Sequence, residues 1–131
     1  MSLMSWIKRF FSWVPFGKVP EIKADKLSRM LQDGTRPQIL DVRTELEWRT
    51  SHIPGAVNTP ITHFSAELAK LQLDKNRPII AICLSAHRSI PAVRTLREQG
   101  YRNACQLHNG MLAWWHAKLP VEHAEHEQPH A

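Results

Sequence analysis

The 131-residue chain carries 17 Lys and Arg against 12 Asp and Glu, a formal net charge of +5 at pH 7 with no block of like charges. That scatter argues against nucleic acid, whose phosphates require a clustered basic face, and favours small anions, acidic protein surfaces or an anionic membrane. A chain of this length folds as one domain burying roughly two thirds of its unfolded surface, so its two cysteines, Cys83 and Cys105, are not needed as a staple, and no stretch approaches the roughly 20 apolar residues of a transmembrane span.

Composition divides the chain into an N-terminal segment, residues 1–19, a domain at 20–118 and a polar tail at 119–131. In the first segment Leu3, Trp6, Ile7, Phe10, Phe11, Trp13 and Val14 share one helical arc opposite Ser5, Lys8, Arg9 and Ser12, and Pro15 and Gly17 end the helix. A short helix with this stripe needs a surface to bury it. One reading lays residues 1–16 on an anionic membrane, with Trp and Phe at headgroup depth and Lys8 and Arg9 facing the lipid charge. The rival reading packs the same arc against the domain or a second copy in a dimer. The expected location is cytoplasmic, peripheral on the inner face of a membrane if the first reading holds.

Within the domain, Ile22 reads as an edge strand, Ala24 to Leu31 as a helix ended near Gly34, and Gln38 to Val42 as a short buried strand. Thr44 to Thr50 reads as a helical turn, and Ile53-Pro54-Gly55-Ala56 as a tight turn with its glycine at positive φ. Val57 to Pro60 is extended, and Phe64, Leu68 and Leu71 mark a helical stripe over 63–71. After Pro78 the apolar run IIAICL suits a central parallel strand covered on both faces. A polar loop from Ser85 to Ser89 leads into a helix carrying Ile90, Ala92, Val93 and Leu96, followed by a strand at 104–107 and a helix at 111–116. This alternation predicts an α/β fold with an open, mostly parallel sheet, in which sites form beyond the carboxyl ends of the strands, where Cys83 lies. The tail, with His123, His126 and His130 among glutamates, reads as flexible and solvated; no tight ligand pair faces a second, so no metal site is expected.

Cys83 by itself is as readily a small buried hydrophobe as a nucleophile. The loop after it favours the nucleophile. In C-L-S-A-H-R-S, the backbone N–H groups of Leu84, Ser85, Ala86, His87 and Arg88 can curl around the sulfur, and the helix starting near Ser89 adds unpaired N–H groups and a positive dipole end. Such a loop binds an anion and favours thiolate over thiol. Arg88 contributes a permanent fork of donors facing the anion, leaving His87 for the entrance or solvent. Cys105, in a strand interior, reads as packing, with a resolving thiol as its alternative role.

Three separated motifs, DVRTELEWRTSHIPGAVNTP (Asp41–Pro60), CLSAHRS (Cys83–Ser89) and LHNGMLAW (Leu107–Trp114), resemble a single-domain rhodanese, or thiosulfate sulfurtransferase-like protein, over about Ile22 to Lys118. The resemblance implies a rhodanese-like three-layer fold with a central parallel five-stranded sheet. It further implies that Cys83 accepts a sulfane sulfur from a small sulfur-containing anion and passes it to a thiol or cyanide, with no cofactor. By the same resemblance Asp41 and Arg43 end a central strand near the site, Glu47 and His52 tie the following segment together, and Asn109, Gly110 and Trp114 shape the wall beside the loop. Four residues separate Cys83 from Arg88, one fewer than in the phosphatases that resemble this family, and the tighter ring suits a persulfide rather than a phosphate. Three positions depart from the family pattern. Ala86 stands where the loop usually has glycine, Ser51 precedes the His-Ile-Pro-Gly-Ala turn in place of glycine, and Asn109 replaces the first glycine of a pair; asparagine tolerates the left-handed region best. The alternative function is a noncatalytic binding module, membrane-associated through residues 1–16, against which the presence of both Cys83 and Arg88 argues.

Overall fold

The computed structural model describes residues 17–124; the expectations for residues 1–16 and 125–131 lie outside them. Five short strands, β1 (Glu21–Ile22), β2 (Gln38–Asp41), β3 (Val57–Asn58), β4 (Ile79–Ile82) and β5 (Ala104–Leu107), form one sheet in the order β1-β5-β4-β2-β3. All four pairings are parallel, with Leu40 opposite Ala81 and Ile80 opposite Cys105 at the centre. Parallel neighbours require crossovers, and these are supplied by α1 (Ala24–Gln32), α2 (Glu45–Thr50), α3 (Phe64–Lys70) and α4 (Ser89–Glu98), while α5 (Gly110–His116) follows the last strand.

The side-chain period of two sorts the strands onto two cores. Leu40, Val42, Ile79, Ala81, Cys83 and Ala104 face one side, where Phe64 and Leu68 of α3 and Ala92, Val93 and Leu96 of α4 cover them. Ile39, Ile80, Ile82 and Leu107 face the other, beneath Ala24 and Leu27 of α1 and Met111 and Trp114 of α5. β4 is therefore buried on both faces, which is why its sequence is an unbroken apolar run. Each fully buried Leu, Ile or Phe contributes about 1.5–3 kcal/mol, so these two layers supply most of the driving force. The result is the three-layer α/β arrangement expected from the sequence.

Helix α2 is the exception, since none of its residues is buried. It is held instead at its ends and by polar bonds. Thr44 and Glu47 form a reciprocal capping box, Arg49 pairs with Glu45, and the Trp48 indole N–H donates to the Ala56 carbonyl at 3.0 Å. The turn at 53–56 closes by Ala56 N–H to the Ile53 carbonyl, with Gly55 at φ +84° as expected. The stripe at 63–71 begins one residue late, because a 3₁₀ turn, Ile61–His63, leads into α3.

The tail differs from expectation over its described part. The Trp114 indole N–H donates to the Pro120 carbonyl at 2.8 Å, Glu122 and His52 exchange backbone bonds of 2.8 and 2.9 Å, and the Ala124 N–H reaches the Arg49 carbonyl at 3.0 Å. His123 also contacts the Thr50 carbonyl through Nδ1. A polar composition suggested a solvated end from residue 119. The strap is held by main-chain bonds, which composition does not encode, and by Leu119 and Val121 packed against the core under α1 and α5.

Candidate functional site

Cys83 directly succeeds β4 and is 2% exposed. Its sulfur accepts the Arg88 N–H at 3.2 Å, and the Ser85 N–H is directed at it as well. Burial pushes this thiol up. The two backbone donors and the Arg88 guanidinium outweigh that effect and hold the group below its ordinary pKa. The loop thus curls its donors around the sulfur as its sequence predicts, with the N–H groups of Ser85 and Arg88 making the contacts.

Three residues in left-handed conformations shape the ring. Ala86 takes φ +72°, the strained value a family glycine would adopt freely, at a cost of about 1 kcal/mol. Across the loop, Asn109 at φ +54° and Gly110 at φ +50° turn the chain into α5, whose first N–H groups hold the loop carbonyls: Met111 to Cys83 at 2.8 Å and Leu112 to Leu84 at 3.1 Å. A Cβ on Gly110 would lie 2.1 Å from the Cys83 carbonyl oxygen, so only glycine permits this approach.

Arg88 does not face the loop alone. Its guanidinium forks onto Glu47, Nη1 to Oε1 at 2.6 Å and Nη2 to Oε2 at 2.9 Å, with both side chains about one third exposed (33% and 31%). The bidentate bond from Arg88, working against burial and helped by Thr44, holds the Glu47 carboxyl at about 2, and Glu47 in turn raises the Arg88 pKa. The carboxylate balances part of the charge that the sequence suggested was free for an anion. More of the anion-binding capacity therefore falls to the backbone N–H groups.

The other candidate residues separate into different places. Asp41 and Arg43 form a buried pair at 2.8 Å, and Arg43 Nη2 also donates to the Ser51 carbonyl at 2.6 Å, making a strut between the end of β2 and the end of α2. His52 does not join Glu47. Its Nδ1 donates to the Trp48 carbonyl at 2.7 Å and its ring stacks on Trp48 with centroids 4.3 Å apart. His87 is exposed, with Nδ1 3.0 Å from the Ser85 hydroxyl, whereas Ser89 is buried below the loop and donates to Gln106 at 2.6 Å. Trp114 belongs to the core beneath the sheet and not to the wall beside the loop.

The wall is made by its neighbour. Trp115, with Leu46, Leu84 and the ends of Arg43, Glu47, Thr50 and Ser51, lines a cleft of about 300 Å³ beside the loop. A signal for this lay in the sequence. On a helix that buries Met111 and Trp114 at spacing i, i+3, the adjacent Leu112 and Trp115 must face outward. Ser51 fits its departure from glycine, because its backbone is extended (φ −166°) and its hydroxyl accepts the Trp115 indole N–H at 2.9 Å. Among the described residues no group of three or more His, Cys, Asp or Glu is placed to hold a metal, and no helix is long and apolar enough to cross a membrane.

Comparison with known proteins agrees with this geometry. The family model for the rhodanese-like domain matches residues 23–117. A sulfurtransferase of Allochromatium vinosum is 31% identical over 103 residues, covering 79% of this chain and 94% of that protein. YrkF of Bacillus subtilis, named as a sulfur carrier protein, is 33% identical over 96 residues, or 73% of this chain, which spans only 51% of that protein's length. The crystal structure of a thiosulfate sulfurtransferase from Pseudomonas aeruginosa superposes with a TM-score of 0.75 at 28% identity, over 90% of this chain and 23% of that one.

Proposed function

Because the chain belongs to the rhodanese-like domain family, we propose that it is a sulfurtransferase working through a persulfide on Cys83. The observation that carries the reading is the Cys83 sulfur itself, buried yet held below its ordinary pKa by the Ser85 and Arg88 N–H groups and the Arg88 guanidinium. A buried cysteine without such donors would shift the other way.

The Cys83 thiolate attacks the outer sulfur of a donor such as thiosulfate, a persulfide or a polysulfide. With thiosulfate, a bond forms from Sγ to the sulfane sulfur, the donor's sulfur–sulfur bond breaks, and sulfite leaves with the electron pair. The loop N–H groups then hold the terminal persulfide sulfur as they held Sγ, and Arg88, oriented by Glu47, stabilises the departing charge. A thiol or cyanide removes the sulfur in a second displacement and restores the thiolate.

The test is steady-state turnover of thiosulfate with cyanide. The expected pattern is ping-pong kinetics in the wild type and no turnover in Cys83→Ala, with unchanged far-ultraviolet circular dichroism. Turnover surviving in the alanine variant contradicts the reading.

A further inference from the structure

The polar side chains that line the cleft beside the loop are engaged by bonds inside the protein. Arg43 is engaged by Asp41 at 2.8 Å and by the Ser51 carbonyl at 2.6 Å, and Glu47 is held by Nη1 and Nη2 of Arg88. The Thr50 hydroxyl donates to the Leu46 carbonyl at 2.8 Å, and the Trp115 indole N–H donates to the Ser51 hydroxyl. What the cleft has left to offer is hydrocarbon from Leu46, Leu84 and Trp115. Leu46 is 67% exposed and Trp115 37%, an apolar pair open to solvent on either side of the space.

These facts select the chemistry of an occupant. A charged group entering the cleft would lose its hydration against a lining that is mostly hydrocarbon, whereas an apolar body would remove hydrocarbon from water on both surfaces. The volume of about 300 Å³ is at the lower end for small-molecule sites, enough for a ring or a branched chain and too confined for a folded partner. Leu84, which follows Cys83 in the chain, and Glu47, which holds Arg88, both line the cleft, so it lies beside the loop that carries the sulfur.

We infer that the sulfur acceptor is a small uncharged thiol with an aromatic or branched apolar body, and that Leu46, Leu84 and Trp115 determine this preference. The inference rests on the sulfur-transfer reading and divides the site in two: the loop serves an anionic donor, the cleft an apolar acceptor. In the step concerned, the acceptor thiolate forms a bond to the outer sulfur of the protonated Cys83 persulfide. The bond from that sulfur to Sγ breaks with its electron pair going to Sγ, so that Cys83 returns as thiolate and the acceptor leaves as a persulfide carrying the proton. No external oxidant or reductant enters.

The experiment first treats the full chain with thiosulfate and confirms one added sulfur by intact mass. It then measures kcat/KM for discharge by phenylmethanethiol and by 2-mercaptoethanol, two thiols of similar acidity. The expected preference for phenylmethanethiol is at least about tenfold in the wild type, and it falls by at least about threefold in Leu46→Ser and in Trp115→Ala. Loaded protein that discharges to both thiols within about twofold of each other, or a preference untouched by both variants, overturns the inference and leaves sulfur transfer standing. Protein that takes up no sulfur overturns both.

Discussion

Cys83, just past the end of β4, and Cys105, within the neighbouring β5, pack on opposite faces of one sheet, yet their chemistry diverges. Cys105 lies inside β5, opposite Ile80, and packs against the core under α1 and α5. Burial pushes its thiol up to about 11, with Lys26 and Arg97 offsetting only part of the rise. Cys83 is one residue past the end of β4, where the ladder has stopped and the next N–H groups are free to turn inward. It also suffers burial, but the donors reverse the sign. The lowered pKa of Cys83 therefore comes from the place where a strand ends and not from the depth of the thiol or the formal charge of the chain. The rise at Cys105 favours packing over a resolving role, because burial makes its thiolate scarcer than that of an ordinary thiol.

The most disruptive substitution moves the loop off the sulfur. Gly110→Ala places a Cβ 2.1 Å from the Cys83 carbonyl oxygen, so the loop or α5 must shift. It is expected to cost about 3 kcal/mol in urea unfolding and to make Cys83 titrate more like Cys105. Gly34→Ala is the control: it also has positive φ (+85°), nothing lies within 4 Å, and the cost should be about 1 kcal/mol. Equal losses in the two variants would show that the close approach at Gly110 does not shape the site.

A milder intervention acts through Glu47. Its carboxyl lies near 4.5 ordinarily and at about 2 in the fold, so the unfolded chain binds the proton first as pH falls. The stability from this pair is fully present above about 4.5 and is lost as pH falls through about 2. Both side chains are about one third exposed, so solvent screening reduces the effect to about 1 kcal/mol. Glu47→Gln, which keeps the capping geometry, should flatten the fall in urea midpoint between pH 5 and pH 2 by about that amount. A wild-type acid limb that the substitution leaves unchanged would mean the ion pair does not stabilise the fold.

At Ala86 the change should be slight. Glycine relieves the strain at φ +72° but adds freedom to the unfolded chain, so Ala86→Gly should raise stability by about 0.5 kcal/mol and leave Cys83 reactivity unchanged. A loss of more than about 1 kcal/mol would show that the alanine methyl makes packing contacts the loop needs.

Much of this arrangement was legible in the sequence, because short-range patterns encode it. The apolar run after Pro78 marked the central strand, the C-L-S-A-H-R-S loop marked the donors that curl onto Cys83, and Asn109 was read as a residue that tolerates the left-handed region it adopts. The features that stayed hidden depend on partners distant in the chain. Glu47 reaches Arg88 across 41 residues, and nothing local distinguishes that bond from the expected association with His52. The docking of residues 119–124 rests on bonds to 49–52, on the Trp114 indole N–H and on the packing of Leu119 and Val121, so a mostly polar stretch looked like a free tail. The exchange of Trp114 for Trp115 at the cleft was a question of helix phase. A seven-residue helix with adjacent tryptophans leaves it ambiguous until Met111 is placed in the core.

The divergence of the two cysteines can be read in a single experiment, peptide-resolved mass spectrometry of the wild-type chain after brief exposure to thiosulfate or polysulfide at neutral pH. One added sulfur is expected, confined to the peptide containing Cys83, with the Cys105 peptide unmodified. Sulfur on Cys105, or on neither cysteine, would contradict the assignment of Cys83 as the activated thiol.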